Sequence, residues 1–185
     1  MQSAIDLLRD LTDTQAYRVA RENSAHVQET WGPILRDFEN ISPRQYRRFL
    51  DFDVNQHWTT LYRQVTPALE NGNFRNALAA LAADDVDVAD RIDAATEVPG
   101  VGIGTASALL CTMDGRWSVW NGTTEAALKK LGLWPTFPRG LATGGRYLVV
   151  SDILIDLAGQ LGVTQWEFDH LMWLVLKDDP NTVIE

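Results

Sequence analysis

Lysine is almost missing from this chain. Only Lys129, Lys130 and Lys177 occur in 185 residues, and the remaining basic residues are 13 arginines. Cysteine is rarer still. Cys111 stands alone, so no internal disulfide can form and nothing suggests an oxidising compartment. Apolar runs are short, far below the roughly 20 residues of a membrane-spanning helix. The opening MQSAIDLLRD has no basic region followed by a long apolar stretch, so it is not expected to be a secretory signal. The three histidines and one cysteine lack metal-ligand spacing, and no Walker-type phosphate loop occurs. Strand-pairing signals, repeats and low-complexity segments are missing too. The expectation is a cytoplasmic protein with no membrane partner, no metal and no cofactor.

What is abundant is acid. Seventeen Asp and eight Glu bring the formal net charge to -9, with an isoelectric point near 4.7. Taken alone, that balance counts against a polyanionic partner. Few lysines and many aspartates fit a strongly hydrated surface suited to a salty cytoplasm, and equally a GC-rich coding bias. In high salt, Coulomb terms are screened and local patches matter more than net charge. Residues that are 45% hydrophobic are enough to bury one core. We expect a single domain over 1–185.

Helical periodicity dominates. Residues 3–11 place Ala4, Leu7, Leu8 and Leu11 on one face. Thr12 and Gln15 have capping-box spacing, and a helix over 14–29 should stop at Trp31-Gly32-Pro33 and resume to about 38. Ser42-Pro43-Arg44-Gln45 is a strong helix start, with the helix reaching about 52. Further helices are expected over 55–69, 74–82, 86–95, 103–112 and 123–131. A loop over 132–145 carries Pro135, Pro138 and four glycines. Residues 146–161 read as a buried helix, although Tyr147-Leu148-Val149-Val150 has strand character. Thr164 and Glu167 form a capping box for a last helix to about 176. The reading is all-α with short connections.

The most informative stretch runs from Val98 to Asn121. Pro99 ends one helix, and Gly100 and Gly102 permit a tight reversal. Gly104, Thr105 and Ala106 open the next helix with very small side chains. Unpaired N–H groups at the positive end of a helix dipole then face open space, which suits an anion such as phosphate. The string Val-Pro-Gly-Val-Gly-Ile-Gly-Thr-Ala-Ser-Ala-Leu-Leu from Val98 resembles the helix-hairpin-helix DNA glycosylase superfamily. The likeness continues beyond that helix, through a short loop, Trp117-Ser118-Val119-Trp120-Asn121, and a helix ending Lys129-Lys130-Leu131-Gly132-Leu133. It covers 88–133, about a quarter of the chain. It implies a two-lobed, all-α, glycosylase-like bundle. The motif core spans about 86–133, and helices from 1–85 and 144–177 flank it. It also implies double-stranded DNA as partner, held by Pro99, Gly100, Val101, Gly102, Gly104 and Thr105 with little sequence preference.

The resemblance breaks where the family does its chemistry. The family's aspartate falls on Asn121, and the lysine some members use as a nucleophile falls on Gly104. An amide can cap a helix, but it cannot act as a base near neutral pH or offset positive charge on a sugar. Two readings are open: a DNA-binding or base-sensing module without cleavage, used in repair or defence, or an active glycosylase with a relocated carboxylate. Candidates for that carboxylate are Asp114, Asp152, Asp156 and Asp169; Asp114 also reads as a turn residue. Asp169 and His170 are adjacent on a helix, point about 100° apart, and read as structural. Arg44, Arg47 and Arg48 form either a phosphate strip or an arginine face paired with Asp51 and Asp53. Lys129, Lys130, Arg139 and Arg146 make a looser basic group. Trp120 is a candidate to stack on an extruded base, and Gln56 or His57 a candidate wedge. Outside nucleic acid, the alternative is a protein-interaction module that keeps the motif for packing and meets a basic partner with its acidic surface.

Overall fold

The computed structural model describes residues 2–51 and 72–178. Nine helices lie in these segments, and no strand occurs among the described residues. They are α1 (Gln2–Thr12), α2 (Gln15–Arg36), α3 (Pro43–Phe49), α4 (Phe74–Ala82), α5 (Val88–Thr96), α6 (Ile103–Met113), α7 (Gly122–Lys130), α8 (Thr143–Leu161) and α9 (Gln165–Val175). Helix α6 is the axis of the packing. Every residue from Thr105 to Met113 is buried, because α2, α4, α5 and α9 surround it. A helix apolar on all sides has to be central. Buried side chains from all nine helices, among them Leu8, Val27, Tyr46, Leu78, Ile92, Leu109, Leu128, Val150 and Trp166, join in one core.

Local signals set most boundaries. Ser42 caps α3 with a reciprocal Gln45 contact, and Thr164 caps α9 with Glu167 in the same way. Gly162 closes α8 at φ +70, a conformation that favours glycine.

Four expectations are corrected. The cap before α2 is Thr14, which accepts from the Tyr17 N–H at 3.2 Å. Thr12 lies inside α1 and donates to the Arg9 carbonyl instead. Helix α2 also does not break at Trp31-Gly32-Pro33; it runs through to Arg36. An interior proline costs about 3 kcal/mol. Burying Trp31 and Leu35 on the same segment offsets it, at about 1.5–3 kcal/mol each. Gly32 lies against α6 so closely that a Cβ would sit 2.8 Å from the Thr112 carbonyl oxygen. The side chains of Gln28 and Arg36 donate to the Cys111 and Met113 carbonyls, which fastens α2 along the end of α6.

Helix α3 stops at Phe49, short of the expected residue 52. The helix expected over 55–69 lies outside the described residues. Helix α8 starts at Thr143, before the expected 146, and absorbs the strand-like Tyr147 to Val150. Its start is fixed from a distance, since the Gly144 N–H donates to Asp93 Oδ1 on α5 at 2.7 Å. No single described helix is long and apolar enough to cross a membrane.

Candidate nucleic-acid interface

The connection from α5 to α6 is a tight reversal. The Val98 N–H bonds to the Ala95 carbonyl at 3.2 Å, and the Val101 N–H to the Val98 carbonyl at 2.9 Å. Gly100 takes φ +88, where a side chain would be strained. Val101 is buried and plugs the space between the helices. Pro99 is exposed at the tip. Gly102 is the N-cap of α6, extended and with no side-chain cap. The Ala106 N–H makes the bond back to the Gly102 carbonyl, so the N–H groups of Ile103, Gly104 and Thr105 precede the helix's own ladder. Gly102 is exposed, and a Cβ there would meet nothing within 4 Å. Thr105 is buried.

Gly104 faces the other key position. A Cβ on it would stand 3.4 Å from the Cβ of Asn121. The starts of α6 and α7 therefore converge. Ser107 fixes the approach: its Oγ accepts from the Trp120 N–H at 2.9 Å and lies 3.2 Å from the Trp120 carbonyl oxygen. Tyr147 Oη donates to the Ser118 carbonyl at 2.9 Å, and Ser118 Oγ to Gln165 Oε1 at 2.6 Å.

Asn121 is the N-cap of α7. Its Oδ1 accepts from the Thr124 N–H at 2.9 Å. That bond fixes the amide's orientation, because a backbone N–H can only donate. Nδ2 is thereby turned to Asp169 Oδ1 on α9, at 3.1 Å. The Thr124 hydroxyl lies 3.4 Å from the same oxygen. Asp169 is buried at 7% exposure, and Asn121 is half-buried. A carboxylate at 121 would face a second carboxylate at about 3 Å, and the two would resist joint ionisation. The amide at 121 thus supplies a donor to a carboxylate from α9. Spacing alone left Asp169 as one of four acids without a motif.

The other acids are placed differently. Asp152 and Asp156 are exposed on α8, and Asp156 accepts from Gln160. Asp114 is clamped by Arg116, with contacts of 2.6, 2.9 and 3.1 Å. That arginine holds its carboxyl below the usual range, so it is poorly suited to carry a proton near neutrality. His170 is buried with its ring 5.2 Å from that of Trp173.

Arg44, Arg47 and Arg48 are all exposed on α3. Gln56 and His57 lie outside the described residues. Trp120 is buried at 9% exposure under Trp134 and Phe137, with ring centroids 6.1 and 6.3 Å away. Of the looser basic group, Lys130 donates to the Val175 carbonyl at the end of α9, and Lys129 pairs with Glu125.

Charge is segregated along the chain. Residues 40–50 hold three arginines and no acid, residues 98–113 hold no charge at all, and residues 126–151 hold four basic residues and no acid. Among the described residues, no group of three His, Cys, Asp or Glu side chains is arranged to hold a metal ion. No family model, curated protein or solved structure matches the chain.

Proposed function

We propose that this chain binds double-stranded DNA through the 99–105 reversal, as a helix-hairpin-helix, glycosylase-like protein without the usual base-excision carboxylate. The observation that carries the reading is the open start of α6. Gly102 is exposed, uncapped and clear of neighbours, and it precedes N–H groups at the positive end of a buried helix. Such an end favours phosphate without reading bases. Residues 98–113 carry no charge, so the net charge of -9 acts on this start from outside that segment, beginning with the exposed Glu97. With Asn121 turned to Asp169, the protein acts as a sensor of altered bases more readily than as a cleaving enzyme.

The test is Gly102→Glu, read by duplex-DNA binding. Gly102 has φ -87 and open space, so a side chain is tolerated by the fold. The expected result is an unchanged melting curve with at least about tenfold weaker binding, the loss of one phosphate contact plus like-charge repulsion. Unchanged binding would overturn the reading.

A second reading has its own observation. Asp169 puts a carboxylate one hydrogen bond from the family's catalytic position, as an active glycosylase with relocated chemistry requires. Duplexes carrying uracil, 8-oxoguanine or an alkylated base, treated with hot alkali after incubation, distinguish the two. Strand breaks that survive Asn121→Ala and vanish with Asp169→Asn select the enzyme.

A further inference from the structure

The loop over 131–142 has a composition that loops rarely carry. Trp134 and Phe137 alternate with Pro135 and Pro138, and prolines hold the backbone in few conformations. The two rings meet edge to face at 5.6 Å, and both pack on Trp120 beneath them. Trp120 is buried, whereas Trp134 and Phe137 are only half-buried. Cations lie over both rings. Lys129 Nζ lies 5.4 Å from the Trp134 ring centre and the Arg146 guanidinium 5.7 Å from that of Phe137. Arg146 also donates to the Leu141 carbonyl, which holds the loop's end, and Arg139 is exposed in the same loop. Glu125, paired with Lys129, is the acid nearest in sequence on the N-terminal side.

We propose that Trp134 and Phe137 form a stacking platform for an unpaired nucleobase, which displaces Lys129 and Arg146 from over the rings so that they and the exposed Arg139 meet the adjoining phosphates. The inference rests on the DNA-binding reading and specifies the form of nucleic acid that the site selects. Every base has a flat face, so ring stacking tolerates any sequence, while flanking cations track the backbone. Bases in an intact duplex already stack on their neighbours, so the platform adds affinity only where a base is unpaired or extruded. Position supports a joint grip. Trp120 leads directly into Asn121, which stands against Gly104 at the start of α6. The platform also shifts the stacking role from Trp120, which is mostly covered, to the two rings above it.

The test uses three probes: a fully paired duplex, the same duplex with one bulged thymine, and oligothymidine. Binding is read by fluorescence anisotropy and by quenching of tryptophan emission. Wild type is expected to prefer the bulged duplex to the paired one. Trp134→Leu and Phe137→Leu keep apolar bulk but remove the aromatic face. Each should weaken binding of the bulged duplex and oligothymidine at least about fivefold, the low end for one lost stack, and leave the paired duplex within about twofold. Arg139→Glu is exposed and leaves the core intact, so it checks the rim should the leucine variants disturb the loop; it should weaken the same two probes. The proposal is overturned if wild type binds paired and bulged duplexes alike, or if all three variants bind every probe like wild type. Gly102→Glu separates the two readings because it should weaken both duplexes. Binding of the bulged duplex and oligothymidine that depends on Trp134, without any binding of the paired duplex, would sink the hairpin reading and leave the platform standing.

Discussion

Replacing Asn121 by Asp probes the site's central contact. Asp caps a helix as well as Asn does, so the cap to the Thr124 N–H survives. The contact to α9 does not. The amide donor 3.1 Å from Asp169 Oδ1 becomes a carboxylate oxygen. At an effective dielectric constant near 20, two unit charges at that distance repel by about 5 kcal/mol. Protonating one ordinary carboxyl at pH 7 costs about 4 kcal/mol, which sets a ceiling on the penalty. Asn121 is half-buried, so solvent screening brings the expected loss to about 2–4 kcal/mol. The sign comes from the raised folded pKa of the new pair. The variant is close to wild type near pH 4 and loses stability as pH rises through the pair's elevated range. Urea denaturation at pH 4.5 and pH 7 reads this directly. The exchanged pair Asn121→Asp with Asp169→Asn restores one donor and one acceptor, and should recover about 2 kcal/mol or more. Equal stability of Asn121→Asp and wild type at pH 7, or no recovery in the exchanged pair, would refute the contact and the account of why an amide stands at 121.

Other perturbations have equally definite outcomes. Gly144→Ala drives a Cβ to 2.0 Å from the Ala89 carbonyl oxygen, so α5 and α8 must separate; a loss of about 3 kcal/mol or more in thermal melting is expected. Ser107→Ala strands the buried Trp120 N–H and should cost about 1–3 kcal/mol by chemical denaturation. Burial, with Glu167 adding to it, pushes the Tyr17 phenol up to about 12. The stability this implies is intact below pH 10 and is lost as pH rises from 10 through 12, so the absorbance near 295 nm of wild type minus that of Tyr17→Phe should show this phenol ionising near pH 12. An ordinary titration near pH 10 in the folded state would contradict its burial.

The features readable in the sequence are those whose partners lie within a few residues. The caps at Ser42, Asn121 and Thr164 reach three residues ahead, and the residue pattern alone identifies them. The course of α2 through Pro33 is not readable in the sequence, because what accompanies its continuation is the fit of Gly32 against Thr112 on another helix. The early start of α8 depends on Asp93, and the state of Asn121 on Asp169. Both partners come from other helices, and no periodicity points to them. The small residues Gly104, Thr105 and Ala106 mark an unencumbered helix start in the sequence, but nothing there shows that Ser107 holds the Trp120 backbone. Trp120 stood out for its place beside Asn121, and its neighbours 134 and 137 cover it only once the loop folds back.

Duplex-DNA binding across a salt series tests the central claim most directly. If the uncapped start of α6 and the exposed Arg44 and Arg48 of α3 neutralise about three phosphates, log affinity should fall against log salt with a slope near -3. That is roughly 60-fold between 50 and 200 mM. The account predicts measurable binding at low salt, this steep decline, and strong weakening by Gly102→Glu. No binding at low salt, or an affinity indifferent to both salt and Gly102, would contradict it.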